Sequence, residues 1–123
     1  MNSERCPCGS GESYSACCGR FISGAEKAQT AEQLMRSRYS AYVKKDVDYL
    51  VRTTLPKSRT PDLAQNITEW MNAAEWIRLL IIRAEETTVD FVAQYRLNGS
   101  EQQHREHSVF KKENGEWFYV GEA

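Results

Sequence analysis

Apolar residues recur at helical spacing in the first half of the chain. Thr30 followed by Gln33 has the spacing of a capping box and predicts the start of a helix. A second helix is predicted to begin after Asp46 and to end before Pro56, and a third to begin at Pro61, which suits a first helical turn. The apolar residues that define the first helix are Ala31, Leu34, Met35, Tyr39 and Tyr42.

Beyond residue 75 the apolar period changes to two. Residues 76–85 are rich in aliphatic and β-branched side chains and predict a strongly buried strand. The next strand has five apolar residues on one face: Val89, Phe91, Ala93, Tyr95 and Leu97. Asn98-Gly99 predicts a hairpin turn, and residues 105–112 and 116–120 predict a further pair of strands joined at Asn114-Gly115. Helices followed by an antiparallel meander indicate an α+β fold, with three helices packed on a curved sheet.

Composition supports a folded domain. The 123 residues are 41% hydrophobic and 11% aromatic, which is enough to build a core. The net charge of -1 gives no basic excess for bulk binding to nucleic acid or membranes. The longest mainly apolar run, residues 76–82, is too short to cross a bilayer, and the N-terminus lacks the apolar stretch of a secretory signal. We therefore predict a cytoplasmic protein without a membrane partner.

The four cysteines lie within the first 18 residues, at Cys6, Cys8, Cys17 and Cys18. A disulfide framework would join distant segments of a small secreted chain, whereas these residues enclose only a short turn-rich segment. Four thiolates on two short arms suit a tetrahedral metal site instead. Zn²⁺ is favoured because it tolerates an all-sulfur tetrahedron, iron is the alternative metal, and reactive or redox thiols are the alternative chemistry. We expect Ser13 to Cys18 to form one helical turn that stops at Gly19, and residues 19–29 to form a polar connector.

The string Cys6-Pro7-Cys8-Gly9-Ser10-Gly11, followed by Cys17-Cys18-Gly19, resembles the SEC-C motif. The resemblance implies that residues 1–20 form a knuckle in which these four cysteines bind one Zn²⁺. It also implies a role in contacting another protein or a nucleic acid.

The order of the remaining elements resembles the nuclear transport factor 2-like (cystatin-like) cone fold, here over residues 29–123. More narrowly, the strings LMRSRYSAYV (residues 34–43), DYL (48–50) and FKKENGEWFY (110–119) resemble the bacterial YchJ family. Together with the cysteines, this resemblance spans nearly the whole chain. It implies a zinc knuckle followed by a cone, and brings no particular activity with it.

Arg38 is the most informative polar residue of the predicted cone, because helical spacing places it within an apolar stripe. One interpretation is that its stem packs while its head pairs with Asp48 or Asp90 or reaches solvent. The sharper one is an anion-binding group in the cavity of the cone, beside Tyr42. Arg36 lies on the opposite side of the helix and is predicted to be solvated.

His107 is the third candidate for the cavity. Nuclear transport factor 2-like enzymes use His, Asp or Tyr side chains inside the cone as general acids or bases, so the resemblance makes His107 a candidate. Strand alternation leaves it either inside the cone or exposed, and the polar residues 102–107 favour a solvated strand end. The sequence contains no catalytic triad order, phosphate loop or HExxH string, so it assigns no catalytic residue.

Three functions remain open. The leading hypothesis is a non-catalytic zinc protein whose knuckle docks a partner protein. The first alternative is an enzyme or small-ligand binder using Arg38, Tyr42 and His107, and the second is nucleic-acid binding through the knuckle. Because helices cover only one side of the sheet, a homodimer through the open face is also predicted.

Overall fold

The computed structural model describes residues 4–122 and has the α+β architecture that the sequence predicts. The helices are α1 (Cys18–Ile22), α2 (Ala31–Lys44), α3 (Val47–Arg52) and α4 (Leu63–Ala73). The strands are β1 (Glu75–Ala84), β2 (Thr88–Leu97), β3 (Ser100–Glu113) and β4 (Glu116–Glu122). Two short 3₁₀ turns lie at Tyr14–Ala16 and Pro56–Ser58. None of the helices within residues 4–122 is long and apolar enough to cross a membrane.

The four strands form one antiparallel meander in the order β1-β2-β3-β4. Both predicted hairpin turns are confirmed, because Asn98-Gly99 joins β2 to β3 and Asn114-Gly115 joins β3 to β4. All four turn residues have positive φ, between 52° and 80°, which is the backbone that tight hairpins require.

Helix α2 is the central element, because it contacts α1, α3 and three of the four strands. Its start follows the capping-box prediction closely. The Thr30 side chain accepts a hydrogen bond from the Gln33 amide, and the Gln33 side chain accepts one from the amide of Gln29 rather than of Thr30. The helix ends at Lys45, which has left-handed φ.

The prediction that β1 is strongly buried is wrong. Leu79 is its one buried side chain, whereas Ile77, Leu80 and Ile82 are 38%, 41% and 52% exposed. The reason is that β1 is the edge strand, and two register shifts interrupt its alternation. Aliphatic residues therefore reach the surface of this strand. The homodimer through the open face of the sheet stays a prediction.

The predicted polar connector over residues 19–29 is also wrong in its first part. Residues Cys18–Ile22 form helix α1, in which Phe21 is buried, and Gly19 lies inside the helix instead of ending it. Gly19 has a packing role: a Cβ there would lie 2.7 Å from the Tyr14 carbonyl oxygen and 2.9 Å from its ring.

The three predicted helices correspond to α2, α3 and α4, with α4 beginning at Leu63 instead of Pro61.

Candidate functional site

The four cysteines converge on one point. Their Sγ atoms all lie within 4.8 Å of one another, with 3.7 Å between Cys8 and Cys17 and 4.0 Å between Cys17 and Cys18. A tetrahedron of sulfurs about 2.3 Å from a central Zn²⁺ has edges of about 3.8 Å, so these distances fit a metal centre. All four residues are buried and none forms a disulfide. The cluster can therefore hold a metal ion.

Local backbone bonds bring the two pairs of cysteines together. The amide of Cys6 donates to the Glu12 carbonyl (2.9 Å) and the amide of Tyr14 donates to that of Glu4 (2.7 Å), which closes a short hairpin. Within it Gly9 has a φ of 83°, so the chain reverses around the sulfurs. The 3₁₀ turn and helix α1 then deliver Cys17 and Cys18 to the other side of the cluster.

The cysteine cluster is attached to α2. The Cys6 Sγ lies 3.5 Å from the Ser40 hydroxyl, and the Arg36 guanidinium donates to the Cys8 carbonyl (2.9 Å) and to Glu32 (2.9 Å). The prediction of a solvated Arg36 is therefore wrong, because the knuckle covers the helix face that would otherwise meet water. The buried cysteines and the buried residues of the cone form one continuous cluster.

Hydrogen bonding and burial shift the pKa values of the thiols in different directions. Hydrogen bonds from Cys18 and Cys8 lower the pKa of Cys6, and the same bond with Cys6 raises the pKa of Cys18. Burial raises the pKa of Cys17, against the lowering effect of the Ser10 hydroxyl 3.2 Å from its sulfur. Four adjacent thiolates repel one another, so full deprotonation requires a cation at their centre.

A second site lies inside the cone, between α2, α4 and the concave face of the sheet. It is a cavity of about 120 Å³. The candidates Arg38 and Tyr42 line it, but His107 does not. Trp76 is the centre of a group of rings in edge-on or tilted contact, those of Tyr39, Tyr42, Trp70 and Tyr95. All of these rings except that of Tyr95 line the cavity.

Arg38 is buried without a carboxylate at salt-bridge distance among the described residues. Its Nη1 atom donates to the Leu50 carbonyl (2.9 Å) and to the hydroxyls of Thr53 (2.7 Å) and Thr54 (3.3 Å). Its guanidinium carbon lies 4.5 Å from the centre of the Tyr119 ring. The expected pairing with Asp48 or Asp90 is wrong. Burial lowers the pKa of Arg38, but an arginine stays cationic in such a site.

Glu106 is the polar residue that sequence reasoning missed. It accepts hydrogen bonds from Tyr119 (2.7 Å) and Ser108, and its other oxygen lies 3.0 Å from the ring of His104. Burial alone would raise the pKa of Glu106, but these bonds outweigh burial and hold the pKa below its ordinary value. Strand alternation could have found it, because residues 104, 106, 108 and 110 share one face.

His107 points to the other face of β3. It is exposed and pairs in register with Asp90, whose carboxylate binds Arg105 (2.8 Å) on the outer surface. The candidate His107 is thus wrong as a cavity residue, and His104 is the histidine that lines the cavity.

Two family models match this chain. The model for the SEC-C motif matches residues 3–20, and the model described as the middle, NTF2-like domain of YchJ matches residues 30–122. UPF0225 proteins are among the similar sequences. One from Haemophilus influenzae is 42% identical over 96% of this chain and 77% of its own length, and one from Geobacter sulfurreducens is 36% identical over 94% and 76%.

Two solved structures are similar over most of their lengths. The solution structure of a SEC-C motif containing protein from Rhodopseudomonas palustris has a TM-score of 0.87 and 38% identity, covering 100% of this chain and 98% of that chain. The crystal structure of a SEC-C motif containing protein from Psychrobacter arcticus has a TM-score of 0.77 and 28% identity, covering 94% and 79%.

Proposed function

The chain belongs to the YchJ family and carries a SEC-C motif, and on this premise we propose that it is a structural zinc protein whose N-terminal knuckle docks a partner protein. The part of the knuckle that the structure describes is residues 4–20. One observation carries the proposal: the four buried cysteine sulfurs lie within 4.8 Å of one another. A cytoplasmic location would keep these thiols reduced, and it stays a prediction.

The choice of zinc and of a structural role follows from the donor set. Four protein sulfurs complete a tetrahedron, so such a centre leaves no open position for water or substrate. Zn²⁺ has no redox chemistry, which suits a centre packed against the core of the domain. A zinc ion there would fix the hairpin and helix α1 in one arrangement.

The longest exposed stretch of the knuckle is the turn at residues 9–12, and residues 4–5 and 15–16 are exposed as well. The knuckle contains two arginines and two glutamates, and four thiolates around one Zn²⁺ add two negative charges. Arg20 is already used by the Cys17 carbonyl (3.0 Å) and by Glu26 (3.4 Å). This charge disfavours a phosphate backbone, so we favour a protein partner over a nucleic acid.

Metal analysis of freshly purified protein tests the zinc centre. We expect one zinc per chain in the wild type and none in Cys18→Ser. Stoichiometric iron, detected by its visible absorption, would assign iron instead of zinc to the site. Metal-free protein that does not take up zinc would contradict the proposal.

Site-specific photocrosslinking in cells tests the docking surface. A photoreactive residue at Glu12, in the exposed turn, is expected to give a protein adduct that disappears in Cys18→Ser. The matched control is Glu86, which is exposed in the turn between β1 and β2. Equal adducts at both positions would contradict docking by the knuckle, and a nuclease-sensitive adduct at Glu12 would assign the surface to nucleic acid.

A further inference from the structure

The indole N–H of Trp76 lies buried on the wall of the cone cavity and has no hydrogen-bond partner among the described residues. This group can only donate a hydrogen bond, and burial without an acceptor is unfavourable. The ring is held by its neighbours, with centroids 5.3 Å from Tyr42 and 5.6 Å from Trp70, so it does not turn freely to find a partner. By contrast, the Trp117 indole donates to the Gln29 carbonyl (3.1 Å).

Arg38 places a buried positive charge on the wall of the same cavity. Within residues 4–122, Nη1 is the donor of every hydrogen bond that the Arg38 side chain makes. A guanidinium has five N–H donors, so Nε and Nη2 remain for a further acceptor. A buried cation is stable when an anion or several acceptors face it.

Glu106 does not meet this need directly, since it forms no salt bridge with Arg38. Its carboxylate is occupied by Ser108, Tyr119 and His104, and Tyr119 stacks between it and Arg38. The Trp76 indole and the free nitrogens of Arg38 can only donate, and the hydroxyls of Tyr39 and Tyr42 can donate as well, so the cavity suits a ligand that brings acceptors.

We infer that the cone cavity binds a small organic carboxylate, whose oxygens accept hydrogen bonds from Trp76 and Arg38 while its apolar part packs among the aromatic rings. The cavity of about 120 Å³ is smaller than an engineered cavity of about 150 Å³ that holds benzene, so it encloses a short chain whole but only part of a single ring, whose far edge stays at the open side of the cavity. An aromatic wall also suits a quaternary ammonium ion, and Glu106 lines the same cavity. That carboxylate already accepts from Tyr119 and Ser108, whereas Trp76 and Arg38 keep donors that a cation cannot use. The carboxylate site is separate from the zinc centre and does not depend on it.

NMR of the zinc-loaded full chain tests this inference through its indole N–H signals. Acetate, propionate and benzoate are the probes, and benzamide and benzylammonium are the matched neutral and cationic controls. We expect benzoate to shift the Trp76 signal, to leave that of Trp117 in place, and to bind about tenfold or more tightly than benzamide. Failure of all three carboxylates to shift Trp76, or equal or tighter binding of benzamide or benzylammonium, would overturn the inference.

Variants separate ligand binding from folding. Trp76→Phe removes the donor but keeps an aromatic ring, so the domain should remain folded while benzoate affinity falls about tenfold. Trp117→Phe removes an indole that is already bonded elsewhere and should leave benzoate affinity unchanged. Arg38→Lys keeps the charge without the planar fork and should also weaken benzoate. Unchanged affinity in Trp76→Phe would overturn the role of the indole and with it the inference.

Discussion

The knuckle and the cone use their buried polar groups in opposite ways. In the knuckle, four thiols from a short stretch of chain point at one centre, and a cation is what makes this arrangement stable. In the cone, the buried polar residues come from α2, from the end of α3 and from β3, and protein atoms satisfy nearly all of their polar groups. The cysteine cluster follows from residues that are close in the sequence, whereas the polar groups of the cone come together only when distant segments fold.

The two regions are nevertheless joined. The bond from Arg36 to the Cys8 carbonyl and the contact of Cys6 with Ser40 tie the knuckle to one side of α2. Arg38 lies on the cone side of the same helix. Helix α2 therefore carries one arginine for each region, and the predictions below test how far the regions depend on each other.

Removal of the metal should have the largest effect. Structural zinc sites contribute apparent binding free energies of about 10–16 kcal/mol, so we expect chelation or Cys18→Ser to unfold the knuckle completely. Because the knuckle buries one side of α2, the cone should stay folded but lose about 2 kcal/mol, or roughly 10 °C in melting temperature. Hydrogen exchange resolved along the chain, with calorimetry, measures both effects.

The control is readdition of zinc to the chelated protein, which should restore exchange protection in the knuckle. Unfolding of the whole chain on chelation would mean that the two regions form one cooperative unit. An unchanged melting temperature would mean that the knuckle does not stabilise α2 or the cone.

A cavity in the core of the cone should have the next largest effect. Leu50 is fully buried in α3, and Leu50→Ala should lower the free energy of unfolding by about 2–5 kcal/mol. The folded fraction should still contain one zinc per chain, since Leu50 lies outside the knuckle. Urea unfolding and metal analysis give the two readouts.

Leu80→Ala is the matched control, because Leu80 is 41% exposed on β1 and its truncation should change stability by less than about 0.5 kcal/mol. Loss of zinc from folded Leu50→Ala would contradict the separation of the two regions.

Loss of the bond between Arg36 and the Cys8 carbonyl should have a smaller effect than removal of the metal or Leu50→Ala. Arg36→Met keeps the stem of the side chain and removes the charged donor to the Cys8 carbonyl, a bond worth about 1.5–3 kcal/mol. We expect faster zinc loss to a competing chelator and weaker exchange protection in the knuckle, with little change in the cone. Arg59→Met breaks a comparable bond to the Thr54 carbonyl (2.9 Å) remote from the knuckle, and should leave zinc loss unchanged.

Arg36 and Arg38 also show what the sequence could and could not predict. The order of elements, both hairpin turns and the close grouping of the cysteines follow from local spacing, and all three agree with the structure. Arg36 has one local partner, Glu32, but the carbonyls that bind Arg36 and Arg38 come from segments more than ten residues away. Helical phase located both residues correctly on α2, but it carried no information on what would cover each side.

Strands show the same limit. Alternation correctly grouped the inward residues of β2, yet β1 was predicted to be buried because apolar content does not reveal that a strand lies at an edge. For β3, alternation put Ser108 and Phe110 on one face but did not decide which face was inside. His107 therefore remained a candidate for the cavity, although the polar residues around it favoured a solvated strand end, and Glu106 was overlooked.

Neutralising Glu106 should have the smallest effect, and it is visible in the pH dependence. The pKa of this carboxyl is lower in the folded protein than in the unfolded chain, so its ionised form stabilises the fold above the ordinary glutamate pKa. That contribution is lost as the pH falls through the lower, folded-state value. Glu106→Gln lacks it at every pH. The difference in unfolding free energy between wild type and variant should therefore begin to narrow near the ordinary glutamate pKa of about 4.3 and narrow further as the pH falls through the folded-state value. The cysteines titrate equally in both proteins and cancel in the comparison. Glu86→Gln, in the exposed turn between β1 and β2, should show no such narrowing. A constant difference for Glu106→Gln as well would show that the cone does not hold this carboxylate in its charged form.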